Sequence, residues 1–204
     1  MFAIALDRSS VAALIEERRR LDLDRRDEMW EGVLHMVPPP SFEHDSFVAS
    51  LSAAFLAIVS RHDLGRVGNA GIREPGSDRN YRVPDLIFIA KNGITRFAAG
   101  SDVWIEHGPD LVVEVLSPGD ESLVKLPFYA ARGIPETLVV DRDTRRPQVF
   151  RLVGDAYFAA APDAEGGHAL ECLRARLFYE AEPGGGRGTL ALRDDRTGEV
   201  VPVR

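Results

Sequence analysis

Two carboxylates stand inside segments that otherwise have the composition of buried β-strands. Asp85 interrupts the apolar sequence VPDLIFI, and Glu114 lies in the middle of LVVEVL. An ionised carboxylate in such a run costs several kcal/mol of desolvation unless a cation or hydrogen bonds compensate it. We therefore expect a positive charge beside both side chains. Magnesium suits this role because it takes one or two carboxylates together with water and substrate phosphate.

Lys125 is the third candidate, because it emerges from an otherwise apolar segment, LVKLPFY, that follows Glu114 along the chain. We predict that this segment is helical and that partial burial directs the ammonium toward the carboxylates. In such a site the metal polarises a phosphate oxygen and lowers the pKa of a bound water, while the lysine positions that water or stabilises the developing charge. The residue types therefore predict phosphodiester hydrolysis.

Each of these residues also has a purely structural interpretation. Asp85 could end a turn that Pro84 begins, and Lys125 could be a surface lysine whose stem lies along apolar side chains. Glu114 is harder to explain in this way, because a glutamate flanked by valines and a leucine has no routine structural role. Glu114 is thus the strongest single indication of function.

The composition limits the class of protein. A chain of 204 residues with 45% hydrophobic content can bury one sizeable core, which predicts a single domain over residues 1–204. The only cysteine, Cys172, cannot form an intramolecular disulfide and favours a reducing, cytoplasmic setting. We expect neither export nor membrane insertion, since no secretory leader or long apolar run is evident.

The net charge of −7 argues against a protein that binds nucleic acid by bulk electrostatics. Two considerations reduce this objection. Metal-binding carboxylates are neutralised when the ion binds, and basic residues such as Arg18–Arg20 could be grouped on one face.

Apolar periodicity and turn residues predict the elements that must position the candidate residues. We predict helices over residues 9–20, 41–62 and 117–133, and strands within 27–37, 66–72, 81–90, 109–117 and 136–141. Ser41 is the predicted cap of the second helix; Ser117, Pro118 and Asp120 begin the third, and Gly133 ends it. The strand, helix and strand over 109–141 predict a right-handed parallel crossover in a mixed α/β fold. From Pro147 onward we predict antiparallel hairpins with one short helical turn.

The sequence resembles the Uma family of restriction-endonuclease-like proteins in the PD-(D/E)xK nuclease superfamily. The resemblance covers about residues 27–150 and rests on DEMWEGVLHMVPPPSFEHD, VPDLIFI, PDLVVEVLSPGD and KLPFYAARGIPETLVVD. It implies a central mixed sheet flanked by helices, here with a β-rich C-terminal extension over about 147–204.

The resemblance also implies roles for individual residues. It places the proline and acids of the motif on Pro84, Asp85 and Glu114. The usual E-x-K spacing would put the lysine at residue 116, which is Leu116 here, so the following helix must supply it as Lys125. The resemblance further implies that His44 lies close to the site, with Glu43 as an alternative acid.

We therefore predict a Mg²⁺- or Mn²⁺-dependent DNA endonuclease. Asp85 and Glu114 are the expected metal ligands, the Val115 backbone carbonyl is a possible further ligand, and Lys125 is the expected catalytic cation. The alternative is a non-catalytic nuclease-like module that binds nucleic acid or a protein partner, which the acidic net charge would suit. Cutting both strands of a duplex would favour a homodimer.

Overall fold

The computed structural model describes residues 2–4, 8–96, 104–117 and 122–204. The helices are α1 (Arg8–Arg20), α2 (Phe42–Arg61) and α3 (Leu126–Ala131), with 3₁₀ segments at Lys91–Arg96 and Ser122–Lys125. The strands are β1 (Phe2–Ile4), β2 (Glu28–Trp30), β3 (Val33–Met36), β4 (Gly65–Gly68), β5 (Gly71–Arg73), β6 (Tyr81–Arg82), β7 (Leu86–Ala90), β8 (Trp104–Ile105), β9 (Leu111–Leu116), β10 (Glu136–Asp141), β11 (Pro147–Val153), β12 (Ala156–Ala160), β13 (Gly167–Leu170), β14 (Ala175–Glu180), β15 (Thr189–Asp194) and β16 (Val200–Val203).

The central sheet has the strand order β12-β11-β10-β9-β7-β4. Strands β9 and β10 are parallel, and α3 lies between them in the chain. Both are almost fully buried, as expected of apolar strands covered on two faces. The other neighbours in this sheet pair antiparallel. The mixed α/β fold and the predicted parallel pairing of the two strands are therefore confirmed, and the right-handedness of the crossover stays a prediction.

Helix α2 packs one apolar face into the core, and Ser41 caps its N-terminus. The Ser41 hydroxyl accepts a hydrogen bond from the His44 amide at 3.2 Å, as predicted. By length and composition this helix could cross a membrane, but many of its apolar side chains, including Phe47, Leu51 and Phe55, are buried in the protein core. That burial is typical of a core helix.

A smaller sheet flanks the central one, with the order β1-β3-β2-β6-β5-β8. Its strands have only two to four residues. The β2–β3 hairpin turns through Glu31 and Gly32, which both have positive φ (51° and 90°). This hairpin places β2, and with it Glu28, beside the central sheet.

The C-terminal residues form a four-stranded antiparallel sheet, β13-β14-β15-β16. Leu177, Leu192 and Val203 from this sheet belong to the same buried cluster as the apolar face of α2 and the central strands. Cys172 packs against that cluster. That the whole chain unfolds as one domain stays a prediction.

Several predicted boundaries were wrong. Residues 66–72 fall in two strands of different sheets, β4 and β5, which Asn69 and Ala70 separate. The short helical turn predicted after Pro147 was wrong, because residues 147–204 contain strands and turns but no helical segment. The predicted helix start at Pro118 and Asp120 lies outside the described residues. Lys125 ends a 3₁₀ segment and is the N-cap of α3, so it lies at the start of an α-helix and not within one that begins at Ser117.

Candidate active site

Strand pairing brings the two carboxylates that interrupt apolar segments to adjacent strands. Leu86 of β7 is opposite Val113 of β9 in an antiparallel register. Asp85, which directly precedes Leu86, therefore lies across from Glu114. The Asp85 carboxylate accepts a hydrogen bond from the Val115 amide at 2.9 Å. The Asp85 side chain thus accepts a backbone hydrogen bond from β9 at the point where β7 begins.

Basic side chains contact the Asp85 carboxylate. His44 Nε2 lies 2.9 Å from Oδ1, and Arg26 Nη1 donates to the same oxygen at 3.0 Å. Burial acts to raise the pKa of Asp85, but the hydrogen bond and charge of His44 and the Val115 amide outweigh it, and the pKa lies below its ordinary value. Asp85 is therefore ionised at neutral pH.

Glu114 lies deeper, with 2% of its surface exposed. Lys125 Nζ donates to its two oxygens at 3.1 and 3.3 Å, and the Tyr129 hydroxyl donates to Oε1. Burial raises the pKa of Glu114 to about 8, even though the charge of Lys125 opposes that shift. The charge of Asp85 adds to the rise. Burial at this position therefore disfavours the ionised form of Glu114, and Lys125 compensates only part of that cost.

Glu28 is a third buried carboxylate, which sequence reasoning missed. Its Oε1 lies 2.9 Å from Lys125 Nζ and accepts from the Val83 amide at 2.9 Å, while Oε2 accepts from Trp30 Nε1 at 2.7 Å. The available signal was the one that identified Glu114, namely an acid within a β-favouring segment. That signal is weaker here because β2 has only three residues.

Lys125 lies between Glu28 and Glu114 with 5% of its surface exposed. Burial acts to lower the pKa of its ammonium, but the two glutamates outweigh this and raise it above the ordinary value. The chain contains only one other lysine, Lys91, among 25 basic residues. A compact ammonium suits a narrow site between two acids better than a planar guanidinium does.

A cavity of about 260 Å³ opens onto these side chains. One wall consists of Pro38, Pro39 and Pro40, which lie between β3 and α2. The charged and polar residues that line the cavity are Arg26, Glu28, Ser41, His44, Asp85, Glu114, Ser117, Ser122, Lys125 and Arg142.

The donor set fits a hard divalent cation. In the described parts of the chain, no three His, Cys, Asp or Glu side chains are arranged to surround a metal ion by themselves. Magnesium does not require such a cage, since it keeps several waters and uses one or two carboxylates with substrate phosphate. The raised pKa of Glu114 indicates that its ionised form is incompletely compensated, and a further cation would stabilise it.

The other residues singled out in the sequence lie at different distances from this centre. His44 lines the cavity and contacts Asp85, whereas Glu43 pairs with Arg145 at 3.1 Å and with Arg187 at 2.5 Å. Leu116, at the usual lysine position of the motif, is partly buried. The structure therefore brings His44, Asp85, Glu114 and Lys125 together and directs Glu43 toward two arginines.

Comparisons with known proteins bear on the fold and the family of this chain. The chain is similar to a crystal structure described as "a putative nuclease belonging to DUF820 from Anabaena variabilis ATCC 29413", with a TM-score of 0.58 and 17% identity over 72% of this chain and 82% of that chain. This likeness shows a shared fold. A search of curated protein sequences finds no significant match. The Uma2 family model, described as "Putative restriction endonuclease", matches residues 15–174. Because that match covers most of the chain, the protein belongs to the Uma2 family, as the sequence motifs predicted.

Proposed function

We propose that this protein is a Mg²⁺- or Mn²⁺-dependent endonuclease that hydrolyses DNA phosphodiester bonds in the cavity at Asp85, Glu114 and Lys125. The observation that carries the proposal is Lys125, a buried ammonium 2.9 Å from Glu28 and 3.1 Å from Glu114 beside a cavity that Asp85 also lines. Membership of the Uma2 family supports a nuclease function.

Asp85 and Glu114 would hold the ion, and the Val115 carbonyl is a proposed further ligand. When bound, the ion supplies Lewis-acid polarisation of the phosphate and a lower pKa for an attacking water. Glu114 would hold the ion as a carboxylate, and Glu28, whose Oε1 lies 2.9 Å from Lys125 Nζ, would keep the ammonium in place.

Lys125 acts as a cation and hydrogen-bond donor, not as a base. Its pKa lies above the ordinary lysine value, so the group stays protonated at neutral pH. A protonated ammonium can orient the attacking water or stabilise the negative charge that develops on the phosphoryl oxygens. His44 fixes the Asp85 carboxylate through a 2.9 Å contact.

The test is cleavage of supercoiled plasmid and single-stranded DNA in Mg²⁺ and Mn²⁺. We expect wild-type protein to cut, and Asp85→Ala, Glu114→Gln and Lys125→Met each to lose about 100-fold or more in rate. Glu136→Gln is the matched control, because Glu136 is also a buried glutamate of the central sheet but accepts hydrogen bonds from the Glu171 and Cys172 amides. Glu136→Gln should keep the cleavage rate if it folds.

A binding measurement separates a metal site from an activity. Calorimetry should detect Mn²⁺ binding to wild type and to Glu136→Gln, and no binding to Glu114→Gln. If the wild type binds Mn²⁺ but cuts no DNA under any of these conditions, the endonuclease proposal fails. The alternative, a non-catalytic module that the net charge of −7 would suit, then stands.

We also propose a homodimer in the cytoplasm. Strand β12 is at an edge of the central sheet, and Phe158 on it is 60% exposed. An exposed strand edge with an apolar side chain is suited to pairing with a second copy. Sedimentation of wild type and Phe158→Lys tests this, since a dimer formed through β12 should dissociate in the variant.

A further inference from the structure

Arginines adjoin the cavity in a chain whose net charge is −7. Three of them lie on the turn between β10 and β11, and a fourth comes from the segment before β15. We call this set the arginine flank: Arg142, Arg145, Arg146 and Arg187. The Gly188 amide donates to the Thr144 carbonyl at 3.0 Å, which ties the two segments together.

The inner end of the flank is part of the cavity wall. Arg142 lines the cavity and donates from Nη1 to Ser117 Oγ at 3.3 Å. Ser117 Oγ lies 3.5 Å from His44 Nδ1, and the other ring nitrogen of His44 contacts Asp85. The flank is therefore continuous with the proposed active site.

The turn that carries the flank is fixed by local hydrogen bonds. The Asp141 carboxylate accepts from the amide and hydroxyl of Thr144 at 2.7 and 2.8 Å. Arg145 has a positive φ of 67°, and its guanidinium lies 3.6 Å from the Phe47 ring centroid and donates to the Arg142 carbonyl at 2.6 Å. Arg145 therefore supports the turn, whereas Arg146 is exposed and Arg142 pairs through Nε with the exposed Asp143 at 2.8 Å, a surface pair that a phosphate could replace.

Glu43 balances part of the charge on the flank. Its Oε1 pairs with Arg145 and with Arg187, and the Arg187 side chain is 50% exposed. The flank faces two further carboxylates, Asp141 and Asp143, of which the first is engaged in the turn. The Glu182 carboxylate lies beside Gly186, so four arginines face four carboxylates, and the flank is a local concentration of guanidinium donors beside the cavity, not a patch of net positive charge.

We propose that the arginine flank binds the sugar–phosphate backbone of the nucleic acid whose phosphodiester enters the cavity, with Arg142 and Arg187 contacting phosphates. Glu43 pairs with the flank in the absence of nucleic acid and is not a metal ligand. The proposal rests on the proposed function for the identity of the substrate. It accounts for nucleic-acid binding by a protein of negative net charge, since the contacts are local.

The experiment measures binding of a short fluorescent DNA duplex by anisotropy, in EDTA so that no cleavage occurs, over a range of NaCl concentrations. Arg142→Gln and Arg187→Gln should each weaken binding roughly three- to tenfold and reduce the slope of log K against log salt by about 1. Arg193→Gln is the matched control, because Arg193 forms a similar surface pair with Glu165 at 2.7 Å on the C-terminal sheet. It changes net charge equally and should leave the slope unchanged.

Substitution of Glu43 should change duplex affinity in the opposite direction from substitution of the arginines. Glu43→Gln removes the carboxylate that competes with phosphate for Arg187, so duplex affinity should rise, whereas Glu165→Gln should change nothing. Mn²⁺ affinity should be the same in Glu43→Gln and in the wild type. A loss of Mn²⁺ binding in Glu43→Gln would overturn the assignment of Glu43.

The outcomes distinguish this proposal from the proposed function. If the wild type binds no duplex, or if the flank variants bind as Arg193→Gln does, the proposal that the arginine flank binds nucleic acid is wrong. Flank variants that bind weakly, with a wild type that never cleaves in Mg²⁺ or Mn²⁺, would support the flank and overturn the endonuclease. Cleavage by wild type together with unchanged binding by flank variants would overturn the flank alone.

Discussion

Lys125 has a structural as well as a chemical part at the proposed site. Its ammonium lies between Glu28, which is 1% exposed, and Glu114, which is 2% exposed. Removing one member of a buried charge cluster leaves the others uncompensated, and this usually costs more than the cluster contributes. The metal-free protein therefore depends on Lys125 for stability.

We expect Lys125→Met to lower the free energy of unfolding by about 3 kcal/mol in EDTA, because the two glutamates then lack a cation. Added Mn²⁺ should recover part of that loss by mass action if the ion binds among the same carboxylates. Urea denaturation with and without Mn²⁺ measures both effects.

The control is Lys91→Met, the same substitution at the only other lysine. Lys91 is 64% exposed and pairs with Asp63 at the surface, so its loss should change stability by less than about 0.5 kcal/mol. Equal losses in the two variants would contradict the view that buried charge pairing makes Lys125 important.

At this scale the sequence predicted some residues of the site but not their partners. Glu114 was identifiable because an acid within an apolar strand needs compensation. Arg26 and Glu28 were not, because they come from a different sheet or loop and only the tertiary fold brings them to Asp85 and Lys125. Arg26 and Asp85 are 59 positions apart in the sequence, too far for a local motif to indicate their contact.

Long elements were predictable and short ones were not. Helix α2 and the β9–α3–β10 crossover each have enough residues for an apolar period to be recognised. Strands such as β6 and β8, with two residues each, are defined by pairing with distant partners and leave no periodic signal. The smaller sheet, which supplies Glu28, was therefore only partly anticipated.

One contact between elements has a testable pH dependence. Asp194, at the end of β15, is fully buried and lies 2.6 Å from Nε2 of His62, which caps α2. Burial acts to raise the pKa of Asp194, but hydrogen bonds from His62, the Arg196 amide and the Thr197 hydroxyl outweigh it and lower the pKa to about 2. The ionised form thus joins the C-terminal sheet to α2.

Because the folded pKa is depressed, the stability that Asp194 contributes is present above its ordinary pKa near 4 and is lost as pH falls toward 2. We expect Asp194→Asn to be less stable than wild type by about 2 kcal/mol at pH 7, and the two proteins to converge as pH falls from 4 to 2. Thermal unfolding across that range measures the difference. A difference that stays constant with pH would rule out the ionised carboxylate as its source.

At the scale of the whole molecule, the extent of the buried core determines whether the chain unfolds as one unit or as two. The Uma2 family model ends at residue 174, yet Leu177, Leu190 and Leu192 beyond that point share a buried cluster with Phe47 and Phe55 of α2. Elements that share one core unfold together. We therefore predict that the C-terminal sheet is part of the same cooperative unit as the proposed site.

Leu177→Ala tests this prediction, because Leu177 is fully buried and its truncation should cost about 2–5 kcal/mol. The two tryptophans, Trp30 and Trp104, both lie in the smaller sheet, so their fluorescence reports on a region far along the chain from the substitution. In urea, fluorescence and circular dichroism should give one common midpoint in wild type and one common, lower midpoint in Leu177→Ala. If the fluorescence midpoint stays at the wild-type value while the circular dichroism midpoint falls, the C-terminal sheet unfolds independently, and the chain contains two units instead of one.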